Sequence, residues 1–447
     1  MLTLRSTAAS RLGGLLLFFG CSAKEPVNID SVDTGFADDH EDNPVEFTDA
    51  EESKLAQLWP FEAPPADPTN SVAEDPAAAQ FGQYLFFDPR LSGSGEFSCA
   101  TCHQPEHGFA DPERFSEAAG TPGRHTPTAL NTAYNNWFFW DGRCDTHWCQ
   151  ALGPIEAEGE QNTNRLAVVH LIADDADLAQ AYESIFGTLS DLSDSARFPA
   201  NAKPVSDAPE DPLDISWRAM TEGDQTTVNQ IFTNLGKAIA AYERKLIRAD
   251  SPFDRFAEAY LAGDTENTEI SDEAKYGFKH YLGDGLCFAC HSGPNFSNNE
   301  FHNIALPSVD GIDNENVGRT EGIELLLANP FNGMGMYSDD APGSEIKLEH
   351  LADTPEQNGQ FKTASLRNLI STPPYMHGGH FADLTEVVTH YNEMDDRPPT
   401  GHREELLAPL GWSAQDVSQM VSFLESLEGA ALDPALLEQP TSPYYQD

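Results

Sequence analysis

Apolar residues recur with a helical period in the run TTVNQIFTNLGKAIAAYERKLIR, residues 226–248. The positions that share one face are Val228, Ile231, Leu235, Ile239, Tyr242 and Leu246. They are three or four residues apart, which is the spacing of a buried helix face. A second amphipathic run, SAQDVSQMVSFLESLEG, covers residues 413–429. Strand-like alternation is scarce, so the pattern predicts a mostly α-helical fold with long loops.

Changes in composition along the chain indicate its domain organisation. A chain of 447 residues is long enough for two domains that each bury a core. Two stretches are too polar for a core, because residues 24–54 are acidic and residues 188–225 are rich in Asp, Ser and Pro. We expect an acidic tether over 22–54, a first domain over 55–187, a surface insertion over 188–225, a linking helix over 226–261 and a second domain over 262–447.

The first residues have the build of an export signal. Arg5 and Arg11 precede a short apolar run that ends at Gly20-Cys21. The run is too short to span a bilayer as a stable helix and is typical of a signal peptide over residues 1–21. A small residue followed by Cys resembles the lipobox of bacterial lipoproteins, which predicts a lipid on Cys21. The alternative is ordinary cleavage near Ala23. In both cases we expect export to the periplasm.

The charge of the chain is strongly negative. Asp and Glu total 73 against 25 Lys and Arg, a formal net charge of −48. Phosphate-bearing partners would meet like charge, which excludes nucleic acid and leaves a lipid anchor as the only expected contact with a membrane. A small basic electron carrier, a cytochrome or a cupredoxin, would be attracted. The alternative explanation of the acidity is solubility alone.

Four of the seven cysteines lie in two C-x-x-C-H motifs, Cys99, Cys102 and His103 in the first and Cys287, Cys290 and His291 in the second. Two thiols at this spacing can form thioethers with the vinyl groups of one haem, and the adjacent histidine can then bind its iron. A single motif would also suit a redox dithiol or half of a zinc site. Two such motifs in an exported chain predict two covalently bound c-type haems.

A third cysteine pair, Cys144 and Cys149, lies in the run WDGRCDTHWCQALGP. An oxidising compartment favours a disulfide between them. Five residues of regular helix would hold the two Cα atoms too far apart, so a bridge requires a turn there. The alternatives are metal ligation together with His147, or two free thiols.

Several runs around these motifs resemble a known family. FFWDGR and QALGPI follow the first motif, and FKTASLRNLISTPPYMHGGHF and VVTHYN follow the second. In order and spacing they resemble the bacterial dihaem cytochrome c peroxidases and their MauG-type relatives, over about residues 75 to 430. The resemblance implies two c-type cytochrome domains around one haem each. It also implies an enzyme that reduces hydrogen peroxide at the first haem with electrons from a donor protein, delivered through the second.

The resemblance assigns roles near the first haem. Trp140 matches a tryptophan that carries electrons between the haems. Gln150 and Glu160 match residues over the open face of the first haem, where a carboxylate can shuttle the proton that peroxide cleavage requires. Without the resemblance, Glu160 would be an ordinary solvated loop residue, with Glu156 and Glu158 as equal candidates.

The resemblance also assigns roles after the second motif. His377 matches a histidine near the pocket of the first haem, with His380 as its competitor. Tyr391 falls where the peroxidases carry a methionine ligand of the second haem and MauG-type enzymes carry tyrosine, and Met394 is the rival ligand. Thioether ligation favours ferrous iron at high potential, whereas a hard phenolate favours ferric iron.

The chain departs from the family pattern at three places. Ala119 occupies the position of the gating histidine, His107 is too close to replace it, and His125 lies further along. His125 also replaces an asparagine that helps to bind calcium between the haems, together with carbonyls near Thr372 and Pro374. Imidazole is a poor calcium ligand, which argues against that ion. Finally, the Cys144 and Cys149 pair has no counterpart in the family pattern.

Three functions are consistent with these features. The first is a dihaem peroxidase that reduces hydrogen peroxide. The second is a MauG-type enzyme that uses peroxide to oxidise Trp or Tyr residues of a partner protein, which Tyr391 and the missing gating histidine favour. The third is a dihaem electron carrier without enzymatic activity, in which both irons would be six-coordinate.

Overall fold

Helices make up nearly all of the regular structure in a computed structural model that describes residues 45–206, 208–308, 317–394 and 398–445. The α-helices are α1 (Asp49–Leu58), α2 (Pro76–Phe86), α3 (Cys99–Cys102), α4 (His147–Glu156), α5 (Arg165–Asp174), α6 (Ala176–Phe186), α7 (Pro212–Ala219), α8 (Glu222–Glu243), α9 (Pro252–Leu261), α10 (Asp272–Leu282), α11 (Arg319–Ala328), α12 (Ala341–Leu348), α13 (Leu384–Glu393) and α14 (Ala414–Glu425). The antiparallel strands β1 (Phe301–His302) and β2 (Phe361–Lys362) form one short sheet. The prediction of a mostly α-helical fold is confirmed.

Helix α8 is the centre of the first hydrophobic core, and its whole predicted apolar face is buried. Helices α2 and α4 pack against it. The α2–α8 contact is close because of Gly82, where an added Cβ would lie 1.8 Å from the carbonyl oxygen of Ala238. Helix α4 packs against α8 beside Gly236, where an added Cβ would lie 2.7 Å from the carbonyl oxygen of Trp148. These two contacts position α4, which carries part of the candidate site.

A second core forms around the helix pair α10 and α14. It is rich in aromatic rings, among them Phe253, Phe278, Tyr281 and Phe423, which are all fully buried. Gly277 allows the close approach of the two helices, since a Cβ there would lie 2.0 Å from the carbonyl oxygen of Gln419. The second C-x-x-C-H motif directly follows α10, so this core supports the second motif as the first core supports the first.

Residues 45–54 were expected to belong to the acidic tether, but the segment 45–58 packs against the second core. Val45 and Phe47 are buried in the second core, together with Leu55 and Leu58 of α1. A capping box between Thr48 and Glu51 starts the helix. The apolar side chains within the acidic run therefore attach this segment to the second core, although residues 55–58 were expected in the first domain. The predicted signal peptide, Cys21 and the tether up to residue 44 lie outside the described residues.

The C-terminal segment, residues 432–444, packs against the first core instead of the second domain to which the sequence assigned it. Its apolar side chains Leu436 and Leu437 lie against that core. The hydroxyl of Tyr242 in α8 donates a hydrogen bond to the carbonyl oxygen of Leu436 at 2.6 Å. The two ends of the described chain thus each cover the core formed by the other half.

The middle of the chain also differs from expectation. No single helix covers 226–261, because α8 ends at Glu243 and α9 starts at Pro252 with Ser251 as its N-cap. Proline suits the first turn of a helix and not its interior. The insertion over 188–225 contributes Phe198 and Trp217 to the first core, so its apolar residues bind it to that core. In the described ranges, no helix has both the length and the apolar character needed to cross a membrane.

Candidate active site

One continuous cavity of about 1210 Å³ contains both C-x-x-C-H motifs in its wall. The lining includes all three functional residues of each motif. Pockets for a single small ligand usually measure about 300–1,000 Å³. The cavity is therefore large for one ligand and reaches from one motif to the other.

The first motif forms the short helix α3, which runs from Cys99 to Cys102 with Ser98 as its N-cap. The turn brings Cys99 and Cys102 to the cavity with His103 directly after them. The Nδ1 atom of His103 lies 3.1 Å from the carbonyl oxygen of Phe109. This hydrogen bond places the proton on Nδ1 and leaves Nε2 free to bind a metal.

The second motif repeats this arrangement on a different local backbone. Residues Cys287–Ala289 form a 3-10 turn, and the Nδ1 atom of His291 lies 3.0 Å from the carbonyl oxygen of Phe296. Phe109 and Phe296 are both buried and both have a left-handed backbone, with φ of 56° and 51°. A non-glycine residue with positive φ is uncommon, so each carbonyl is held towards its histidine at a conformational cost.

These residues fit covalent haem better than a redox dithiol or a zinc site. The four motif cysteines are not in disulfides. Burial raises the pKa of the Cys99 and Cys287 thiols to about 12, whereas reactive dithiols have a lowered pKa. The described residues contain no group of three or more His, Cys, Asp or Glu side chains that could hold a metal ion. Each motif thus offers two unbridged cysteines and one oriented imidazole, the donor set of a c-type haem.

Of the three candidate glutamates, Glu160 is the one that lines the cavity. Glu156 forms an ion pair with Arg165 at 2.6 Å, and Glu158 faces a separate polar pocket. Burial raises the pKa of the Glu160 carboxyl, and the positive charge of Arg143 partly offsets that rise. A carboxyl group with a raised pKa on the wall beside His103 is suited to proton transfer.

Gln150 lines the same cavity from α4. A disulfide between Cys144 and Cys149 joins the loop before α4 to the first turn of the helix, with 5.8 Å between the Cα atoms. The bond leaves neither thiol free for metal ligation with His147. Instead, the Nε2 atom of His147 lies 2.6 Å from the carboxylate of Glu243 on α8. The disulfide and this contact between His147 and Glu243 together restrain the start of the helix that carries Gln150.

Trp140 lines the cavity where the segment after the first motif meets the segment after the second. Its indole Nε1–H donates to the carbonyl oxygen of His125, and its own carbonyl accepts from the amide of Lys362. The ring of His377 packs against it edge-on, 6.4 Å between centroids. His377 also stacks on Phe361 at 3.8 Å. Trp140 is thus in contact with segments that follow both motifs.

His377 lines the cavity, whereas its competitor His380 lies behind it, outside the lining. The two imidazoles are in contact, with centroids 5.1 Å apart. Burial lowers the pKa of His377 well below its ordinary value, so its ring is neutral. The arrangement makes His377 a neutral wall residue between Trp140 and Phe361.

Tyr391 and Met394 occupy different environments at the end of α13. Tyr391 lines the cavity, and burial raises the pKa of its phenol. Met394 is the C-cap of the helix, buried outside the cavity lining. Of the two rival ligands, Tyr391 is therefore the one whose residue borders the space beside the second motif.

The residues at the first two departures from the family pattern, the gating histidine and the calcium position, lie in different places. Ala119 pairs with the Glu160 loop, its amide donating to the Glu160 carbonyl at 3.1 Å, and it has no group that could bind iron. His107 lies outside the cavity lining. His125, Thr372 and Pro374 all line the cavity, and the Nδ1 atom of His125 is buried without a hydrogen-bond partner among the described residues.

Sequence reasoning did not single out three further residues of the lining: Lys362, Asn295 and Glu243. Lys362 lies within the run FKTASLRNL, but a lone lysine carries no local signal of its environment. Glu243 falls at the end of the α8 apolar stripe, where a polar residue reads as the exposed end of a helix. Their location depends on contacts between segments distant in sequence.

Comparison with known proteins gives concordant results. Residues 76–262 match the family described as "Di-haem cytochrome c peroxidase". The chain is 31% identical to cytochrome-c peroxidase IdrP2 of Denitromonas iodatirespirans, over 82% of this chain and 85% of the relative. It is 30% identical to the methylamine utilization protein MauG of Methylorubrum extorquens, over 82% of each.

A solved structure shares the fold. The diheme peroxidase BthA from Burkholderia thailandensis superposes with a TM-score of 0.58 at 20% identity, over 85% of this chain and 92% of that one. This likeness concerns the fold alone. The names peroxidase and MauG both occur among the relatives and do not separate the two activities.

Proposed function

Because the chain belongs to the family of di-haem cytochrome c peroxidases and MauG proteins and is therefore an oxidoreductase, we propose that it reduces hydrogen peroxide in the pocket of the first motif with electrons delivered through the second. Cys99 and Cys102 would attach the first haem and His103 would bind its iron. Cys287, Cys290 and His291 would do the same for the second haem. The bound haems would supply redox-active iron, and the protein supplies proton transfer, orientation and the electron route.

The observation that carries this proposal is the position of Glu160. Reduction of one hydrogen peroxide consumes two protons and two electrons and yields two water molecules. One peroxide oxygen must first lose a proton and the other must gain one. Glu160 borders the cavity beside His103 and its carboxyl pKa is raised by burial, so its carboxylate can take up the first proton and return it.

Gln150 would orient the peroxide. Its side-chain amide can donate to one oxygen and accept from the other, whereas a carboxylate only accepts. It lies on α4, and Glu160 lies on the loop after that helix, so one element positions both groups. Positioning of this kind lowers the entropic cost of reaching the reactive geometry.

The electron route would pass through Trp140, which lies between segments of the two halves. The donor would be a small basic protein, because the chain carries a formal net charge of −48. We also propose export to the periplasm with a lipid on Cys21. Expression of the Cys21→Ala variant would test the lipid, because without it the chain should leave the membrane fraction.

Substitution of Glu160 tests the proposal. In the haem-loaded protein, Glu160→Gln should lower kcat/KM for hydrogen peroxide by about 10²–10⁴-fold, the usual contribution of a positioned acid–base group. Glu158→Gln is the matched control, since Glu158 lies on the same loop but outside the cavity lining. Equal effects of the two substitutions, or no effect of either, would contradict the role of Glu160. Absence of peroxide turnover in the haem-loaded wild-type protein would instead support the electron carrier.

A MauG-type activity is the second candidate, favoured by Tyr391 in the cavity wall and by Ala119 in place of the gating histidine. In this case the same pocket would use peroxide to oxidise Trp or Tyr residues of a partner protein. Stopped-flow absorption of the fully ferric protein with one equivalent of peroxide separates the candidates. A rapid spectral change without prior reduction supports the MauG-type enzyme, and a change only after addition of one electron supports the peroxidase.

A further inference from the structure

Lys362 differs from the other basic residues of the cavity wall in having no acidic partner. The lining contains three arginines besides it. Arg124 and Arg143 pair with Asp141 at 3.1 and 2.9 Å, and Arg367 pairs with Asp254 at 2.8 Å. Within the described ranges, the Lys362 ammonium has no ion pair. The wall therefore presents one lysine charge that no acidic residue of the described ranges neutralises.

The backbone holds Lys362 firmly at this position. It lies on β2, where it is paired with Phe301 of β1. Its amide also donates to the carbonyl oxygen of Trp140 at 2.8 Å. The residue is consequently fixed at the junction between the segments that follow the two motifs. These backbone contacts fix the position of Lys362 in the cavity wall, and its side chain can extend along that wall.

An ammonium that is partly withdrawn from water into a cavity and has no counter-charge is unfavourable. Burial is the only cause that lowers the pKa of Lys362, to about 8, and no carboxylate opposes the effect. Buried charges are normally paired. This cost is explained if the cavity receives an anion when it is filled.

A second residue of the same wall also lacks a partner. Asn295 is 7% exposed, and its side-chain Nδ2 forms no hydrogen bond within the described part of the chain. Its Oδ1 accepts a hydrogen bond from the Ser365 hydroxyl at 3.1 Å, which fixes the orientation of the amide. An NH₂ group held in this way is a donor without an acceptor among the described residues, and Asn295 is one of the residues that line the cavity.

We propose that Lys362 and Asn295 bind haem propionates. Propionates are the anionic groups of haem, and a carboxylate can accept both an ion pair from an ammonium and a hydrogen bond from an amide. This proposal rests on the proposed function only in requiring that the cavity holds haem. The Lys362 charge would then also favour the ferrous over the ferric state of the nearby iron, because the ferric state carries one more positive charge.

Redox titration of the haem-loaded protein tests this assignment without any peroxide assay. Lys362→Met should lower the midpoint potential of at least one haem, and Lys362→Arg, which keeps the charge, should stay near the wild-type value. Lys237→Met is the control for the loss of a lysine charge, because Lys237 is buried, pairs with Asp339 at 2.8 Å and lies outside the cavity lining.

The two outcomes of the titration are distinct. A drop in potential confined to Lys362→Met supports the ion pair with a propionate. Unchanged potentials in that variant, or an equal drop in Lys237→Met, would overturn it, even if peroxidase activity is intact. Lys362→Gln offers the same loss of charge if the methionine variant does not fold. Asn295→Leu should lower the potential too, by removing the donor to the carboxylate.

Discussion

The indole Nε1–H of Trp140 donates a hydrogen bond to the carbonyl oxygen of His125 at 2.8 Å. The amide of His125 in turn donates to the carbonyl oxygen of His377 at 2.9 Å. Trp140 and His125 follow the first C-x-x-C-H motif, and His377 follows the second. The bond therefore orients the indole ring between the segments that follow the two motifs, on the electron route proposed above.

Trp140→Phe should slow electron delivery to the first pocket while peroxide still binds there. The substitution removes the readily oxidised indole and the hydrogen bond to His125, which would also cost about 1 kcal/mol of stability. Turnover with a reduced donor protein measures the effect. Trp137→Phe is the control, because Trp137 lies three residues earlier but outside the cavity lining. Equal losses in both variants would mean that Trp140 is not the route.

The pH dependence of kcat/KM for peroxide should show an acid limb that belongs to Glu160. The carboxylate acts as a base, so activity falls as pH drops through its pKa. Burial raises that pKa above the ordinary value of about 4.3, which moves the limb to higher pH than an exposed glutamate would give. A pH profile of Glu160→Gln should lack the limb. If the limb persists, another group is the base.

Tyr391→Met should raise the midpoint potential of the second haem, because thioether ligation stabilises ferrous iron relative to a phenolate. The same variant should lose any spectral response of the fully ferric protein to peroxide. Met394→Leu should change neither property, since Met394 does not border the cavity. Spectroelectrochemical titration measures both variants. A potential that changes in Met394→Leu alone would identify Met394 as the ligand.

Removal of the Cys144–Cys149 disulfide should destabilise the protein by about 2 kcal/mol, as expected for a short closed loop. Denaturant unfolding of a Cys144→Ser, Cys149→Ser double variant measures the loss. The thiol-reduced wild-type protein should lose the same amount, which separates the bond from the effect of the serines. Because Gln150 follows Cys149 directly, we also expect a higher KM for peroxide in the double variant. An unchanged unfolding midpoint would show that the turn forms without the bond.

Local sequence patterns predicted the parts of this protein that depend on local structure. The apolar stripe from Val228 to Tyr242 predicted α8, because helix period and burial coincide there. The C-x-x-C-H spacing identified both motifs. Local patterns did not predict contacts between segments that are distant in sequence. Nothing in the acidic run shows that Val45 and Phe47 would find the second core.

The histidine orientation shows the same limit at the site. Both motif histidines were predicted, but the carbonyls of Phe109 and Phe296 that orient them were not. A left-handed phenylalanine has no propensity signal, because it is the surrounding structure that imposes it. In retrospect, each motif is followed within six residues by a phenylalanine after Gly or Asn, and that spacing is the available clue.

The exchange of chain ends between the two cores has a consequence for biosynthesis. Residues 45–58 are synthesised before the residues of the first core but cover the second core, and residues 432–444 are synthesised after the residues of the second core but cover the first. Neither half can bury its apolar surface fully while the chain is still emerging, since contacts of such long sequence separation form late. The thiols of both motifs consequently belong to an incompletely closed chain until synthesis ends. The proposed attachment of haem would have this period before the two cores are fully covered.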